Sequence, residues 1–176
     1  MQALVVYESM FGNTAEVARA VTDGLADHVE VTLREVSEAP RQLTEPYDLL
    51  VIGGPTHALS MSRPSTRADA VKQGAPPAVE EKGIREWLDG LDGSPRHTRV
   101  VTFDTRAEKA RHMPGSAAKK AARVARKHGF SLADKKKSFY VDGMQGPLEA
   151  GETSRARAWG EKLGAAVASR AGAAAG

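Results

Sequence analysis

No cysteine occurs among the 176 residues. Disulfides, thiolate catalysis, cysteine-ligated zinc and iron–sulfur clusters are thereby excluded. No apolar run approaches the ~20 residues that span a bilayer. No basic leader with an apolar stretch precedes the first strand-like run, so the expectation is a cytoplasmic protein without a membrane partner. Aromatic residues amount to 5%. Only Phe103 and Phe130 fall within the most basic segment, too few for stacking single-stranded bases, so nucleic acid is not an expected partner. No Ser-His-Asp order or carboxylate pair stands out. No catalytic side chain and no metal ligand is assigned.

What is present suits one soluble domain, with 41% hydrophobic and 27% charged residues. The domain is expected over residues 1–170, followed by a frayed low-complexity tail at 171–176. The net charge of +3 is unevenly placed. Residues 96–137 hold thirteen Lys/Arg against three Asp/Glu, whereas the remainder holds twelve against nineteen. This segment is either a solvated face or the contact for an anionic partner.

The run "QALVVY" (2–7) predicts a buried strand. Asn13 then opens a helix, with Glu16 placed for a capping box and Val17, Val21 and Leu25 forming an apolar stripe. Residues 29–36 alternate as an edge strand, and 47–55 form a buried strand ended by Gly-Gly-Pro. Residues 62–80 read mainly as loop. A helix is expected over 83–91, a strand over 98–104, and an alanine-faced helix over 115–130 closed by Gly129. A strand at 138–143 and a helix from Thr153 complete the chain. Strands alternating with helices predict a parallel sheet covered on both faces. Ligands of such sheets bind beyond the strands' carboxyl ends. The loops at 8–14, 54–63 and 103–116 are therefore the places for chemistry.

The first loop, "ESMFGNT", joins a strand to a helix N-terminus, where free N–H groups and the helix dipole favour an anion. Ser9 and Thr14 add hydroxyls, Asn13 an amide, and Gly12 permits close approach. No Walker A pattern and no G-x-G-x-x-G is present, so neither a nucleoside triphosphate nor NAD(P) is the ligand of this loop. A well-capped helix that binds nothing is the alternative reading.

"VVYESMFGNTAEVARAV" resembles the FMN phosphate loop of the flavodoxin family, with Ser9, Gly12, Asn13 and Thr14 on the pattern. Phe11 departs from the simplest members and is closer to flavodoxin-like domains of larger flavoenzymes and quinone reductases. "GGPTHALSMSRPSTR" resembles the second flavin loop, and "TFDTRAEKARHMPGSAAKK" takes the place of the third, without its usual aromatic. The resemblance covers roughly residues 2–170. It implies a doubly wound, five-stranded parallel α/β sheet in the order 2-1-3-4-5. It implies FMN as cofactor. The implied contacts are Ser9, Met10, Phe11, Gly12, Asn13 and Thr14, then Pro55, Thr56, His57, Ala58 and Leu59, then Asp104, Thr105 and Arg106. His57 is either a flavin contact that couples redox to pH or a solvent-facing residue.

Three functions follow as expectations. The first is an electron carrier, monomer or weak dimer, whose redox partner protein either presents an acidic docking face or gives way to a different electron donor. The second is an FMN-dependent oxidoreductase that takes electrons from NAD(P)H to quinones or small acceptors. The third is a flavin-free module that binds an anionic partner through 96–137.

Overall fold

The computed structural model describes residues 1–92 and 97–174, with side chains as far as Arg170. Arg96 of the basic segment and residues 175–176 of the expected tail lie outside the described residues.

The apolar runs form a parallel sheet. β1 (Gln2–Tyr7) lies between β2 (Glu30–Glu35) and β3 (Leu49–Pro55), and β3 pairs with β4 (Arg99–Ala107). The last place in the expected order is shared by two strands. β5 (Ser131–Leu132) pairs with Arg99 and Val100, and β6 (Lys137–Val141) pairs with Phe103 through Ala107. The sheet thus has six strands rather than five. The interruption falls at Asp134-Lys135-Lys136, three exposed charged residues that do not suit a ladder position beside β4.

Alternate residues of the buried strands feed two cores. Leu4, Val6, Leu50 and Ile52 pack with α3 (Ile84–Asp89) and α4 (Ala117–Lys127). Ala3, Val5, Leu49 and Val51 pack on the other face with α1 (Asn13–Ala26) and α5 (Glu152–Ala174). The sheet is therefore doubly wound. Val17, Val21 and Leu25 of α1 are buried against Trp159 and Leu163 of α5. The helix backbone continues into the expected tail as far as Ala174.

Three expectations are corrected here. Residues 62–80 are not mainly loop. They contain α2 (Pro64–Lys72) and a 3₁₀ turn at Pro77–Glu80. α2 carries no apolar stripe, and its start is set by Pro64 in the first turn and by Arg63 N–H donating to Thr66 Oγ1 at 2.9 Å. The capping box of α1 does not form. The residue before the helix is Gly12, at φ 90°, and the Glu16 carboxylate accepts from Thr153 Oγ1 instead. Finally, β4 runs to Ala107, because β6 supplies a partner for Thr105, Arg106 and Ala107. Asp104, Thr105 and Arg106 are strand residues, not loop residues.

Among the described residues, no helix is long and apolar enough to cross a membrane.

Candidate functional site

Four segments at the carboxyl end of the sheet enclose a cleft of about 260 Å³. Met10, Phe11, Asn13 and Thr14 form one wall, and Pro55, Thr56, His57 and Ala58 another. Thr105 and Arg106 line the cleft from β4, with Ala107 beside them. The fourth segment, Val141, Gly143 and Met144, was not anticipated. Its signal was modest: a carboxyl-end loop rich in turn residues, "DGMQGP". Ser9, Gly12, Leu59 and Asp104 do not line the cleft.

Two of the helix N-termini at this end, those of α4 and α1, differ in how their donors are engaged. At α4 the first-turn N–H groups are occupied. Ala117 N donates to Thr56 Oγ1 (2.9 Å), Ala118 N to Asp104 Oδ2 (3.0 Å) and Lys119 N to Ser116 Oγ (3.2 Å). Asp104, fully buried, thus caps a helix from beneath the cleft. At α1 only one such contact is made, from Ala15 N to Ser9 Oγ at 3.2 Å. Among the described residues, the N–H groups of Phe11, Gly12, Asn13 and Thr14 donate to no protein acceptor. A Cβ at Gly12 would meet nothing within 4 Å, so the backbone there is open to a ligand. An anion in front of α1 satisfies donors that the protein leaves free.

The side chains around this opening are fixed from far away in the chain. Thr14 Oγ1 and Thr105 Oγ1 share a buried hydrogen bond of 2.7 Å. A hydroxyl pair of this kind uses one proton and leaves the other to point at a ligand. Asn13 Nδ2 donates to Gln145 O at 2.7 Å, so the amide expected to face an anion is engaged with the β6–α5 loop. Phe11 packs with Met10, Ala70 and Ala75, docking the first loop onto α2 and the chain beyond it.

The second loop turns tightly. His57 N donates to Ser60 O and Ser60 N to His57 O, with Ala58 at φ 45° and Leu59 at φ 61°. Left-handed alanine and leucine cost about 1–2 kcal/mol each, so packing must hold them. The backbone of Gly115 presses on Leu59, where a Cβ would stand 2.8 Å from Leu59 O. Burial pulls the His57 imidazole down from its ordinary value. The same burial disfavours its charged form.

Arg106 is the buried cation of the cleft, 6% exposed. Its Nη2 donates to Ala110 O and, at 3.2 Å, to Met113 O, which ties down the loop after β4. Its Nε–H has no acceptor in the protein. Such a donor, buried in the wall of a cleft, is one that a bound acceptor satisfies.

Below the cleft lies a second buried polar group, which sequence reading passed over. Glu8, 2% exposed, accepts from Ile84 N at 2.9 Å, while its Oε1 has no partner. Arg67, 1% exposed, donates to Ser62 Oγ (3.0 Å) and Glu86 Oε2 (3.1 Å). Together they pin α2 and α3 to the end of β1. Burial pushes the Glu8 carboxyl above its ordinary 4.5. The folded protein therefore binds more protons than the unfolded chain as pH rises from that value, and stability falls across the window. Glu8→Gln cannot ionise. Its melting temperature relative to the parent is expected to rise as pH climbs above the ordinary carboxyl value of 4.5. A difference that stays constant with pH would mean that the carboxyl titrates as it does in water.

No family model and no curated protein matches the chain. Solved structures do share its fold. A flavodoxin from the domain Archaea is 15% identical, with 95% of this chain and 99% of that one covered and a TM-score of 0.62. The flavodoxin of Streptococcus pneumonia TIGR4 is 18% identical over 94% and 99%, with a TM-score of 0.63. Flavodoxin 2 from Bacillus cereus is 18% identical over 97% and 99%, with a TM-score of 0.62. At these identities the likeness establishes the fold.

Proposed function

We propose that this flavodoxin-like fold binds FMN in the cleft at the carboxyl end of its sheet and serves as an electron carrier. The observation that carries the reading is the contrast between the two helix ends. The protein satisfies the first-turn donors of α4 with its own side chains and leaves those of α1 open. The phosphate would take the N–H groups of Phe11, Gly12, Asn13 and Thr14, with the Thr14–Thr105 hydroxyl pair beside it. The flavin ring would lie toward His57, Ala58 and Arg106, whose Nε–H gains an acceptor. FMN supplies the redox chemistry when bound. The side chains hold it, orient it and set the charge around it. A cleft of about 260 Å³ encloses part of a flavin-sized ligand and leaves the remainder at the surface.

A second reading has its own support. Among the described residues, no tryptophan or tyrosine lines the cleft, which would leave a ring face open to a small acceptor. An FMN-dependent oxidoreductase using NAD(P)H and a quinone fits that opening. Turnover of these two substrates by the FMN-loaded protein alone would establish it.

Titration of the flavin-free protein with FMN and with riboflavin tests both readings at once. FMN is expected to bind at micromolar concentration or below, with a shifted visible spectrum. Thr14→Ala is expected to weaken FMN by about fivefold to tenfold, the effect of one hydrogen bond, and to leave riboflavin nearly unchanged. Absence of binding at tens of micromolar would remove both readings and leave the flavin-free module. Equal weakening of both flavins would place the phosphate elsewhere.

A further inference from the structure

We infer that the outer face of α4 is the docking surface for an acidic protein that exchanges electrons with the cleft. The inference rests on the flavin reading for its purpose but not for its chemistry. α4 has the sequence AAKKAARVARK and no acidic residue. Its inner face is alanine throughout: Ala117, Ala118, Ala121, Ala122 and Ala125 are buried. Its outer face carries Lys119, Lys120, Arg123, Arg126 and Lys127, spaced to form one stripe. Among the described residues, none of these five forms an ion pair. On α5, by contrast, Arg155 and Arg157 are each paired with a carboxylate. The α4 stripe is therefore a concentration of positive charge, without ion pairs among the described residues, of the kind that attracts a negatively charged surface.

Its position gives the stripe a use. A hollow of about 200 Å³ lies between the first turns of α4 and the tight turn at 57–60, lined by Leu59, Ser60, Lys119, Lys120 and Arg123. The same turn lines the flavin cleft with His57 and Ala58. A protein seated on the stripe is thus separated from the cleft by a single reverse turn. Leu59, half-buried, offers an apolar contact at the centre of the charged rim. A protein fits better than a nucleic acid because α4 has no aromatic or amide side chain to read bases.

The test uses the full chain, with and without FMN, and an acidic plant-type [2Fe–2S] ferredoxin as probe. Basic cytochrome c and a single-stranded oligonucleotide serve as counter-probes. The ferredoxin is expected to bind at low ionic strength and to weaken by about tenfold or more as salt approaches physiological strength. Lys119→Glu, Lys120→Glu and Arg123→Glu combined should abolish most of that binding and slow electron exchange with the FMN-loaded protein by at least about tenfold. The control Arg19→Glu, Arg34→Glu and Arg41→Glu makes the same change in net charge elsewhere on the surface and should retain binding. Circular dichroism confirms that both variants fold. Equal losses in the two variants would reduce the effect to net charge and overturn the proposal. So would preference for cytochrome c, or tighter binding of the oligonucleotide through the same residues. Binding to the flavin-free chain is read independently of FMN, so this inference and the flavin reading fail separately.

Discussion

Arg106→Met is expected to weaken FMN and riboflavin alike, by about tenfold to a hundredfold. The guanidinium is buried in the cleft wall, and its Nε–H has no acceptor in the protein. A hydrogen bond to a charged group is worth about 1.5–3 kcal/mol, which corresponds to the stated range. Methionine keeps much of the volume and removes every donor. With the flavin ring toward Arg106, as proposed above, its contact falls on the part of the ligand that the two flavins share. Thr14→Ala acts at the other end and separates them. Arg106→Lys should not restore affinity, since an ammonium cannot serve Ala110 O, Met113 O and the ligand from one planar fork. Fluorescence quenching with each flavin measures all three variants. If Arg106→Met weakens FMN but spares riboflavin, Arg106 holds the phosphate and the ligand's orientation is reversed.

The largest loss of stability is expected from Gly24→Ala and Gly160→Ala. α1 and α5 touch backbone to backbone at these residues. A Cβ on Gly24 would stand 2.1 Å from Arg157 O, and one on Gly160 would stand 2.3 Å from Val21 O. Neither obstacle is a side chain that can rotate away, so the helices must separate. Overpacking costs about 1–3 kcal/mol and more where backbone must move, against a gain of about 1 kcal/mol from the better helix propensity of alanine. A net loss is expected in urea unfolding for each substitution. The double variant should lose less than the sum, because one separation relieves both contacts. Flavin affinity should fall as well, since α1 carries the first loop. An alanine that stabilises either site would show that the helices are not so close.

How far this was legible from sequence depended on whether the signal was local. The buried strands were plain, because each face of the sheet is covered and their apolar runs are continuous. α1 and α5 were plain from their stripes. α2 was not, since it buries Arg67 and Ala70 rather than an apolar stripe. The extent of β4 depended on β6, about thirty residues on, and the split of the final strand depended on where three consecutive charges must leave the ladder. The first two loops were recognisable, but the partners of their side chains were not. Asn13 bonds to Gln145 and Glu16 to Thr153, neither of which any local capping rule selects. Glu8 stood in the first loop without a role because a buried carboxyl reveals itself only through what surrounds it.

The α1–α5 contact also sets an order of events. The uncovered stripe of α1 is made early in synthesis, and the helix that covers it follows the last strand. Asn13, Glu16 and Asp27 each find a partner 130 or more residues later in the chain. Pairings of such long range make folding slow and leave apolar surface waiting in the meantime. Asn13 gains its partner only with the β6–α5 loop, and Glu16 and Asp27 gain theirs only with α5. A nascent chain that ends before α5 therefore has all six strands and the helices α1 to α4, but leaves the apolar stripe of α1 without the Trp159 and Leu163 side chains that cover it.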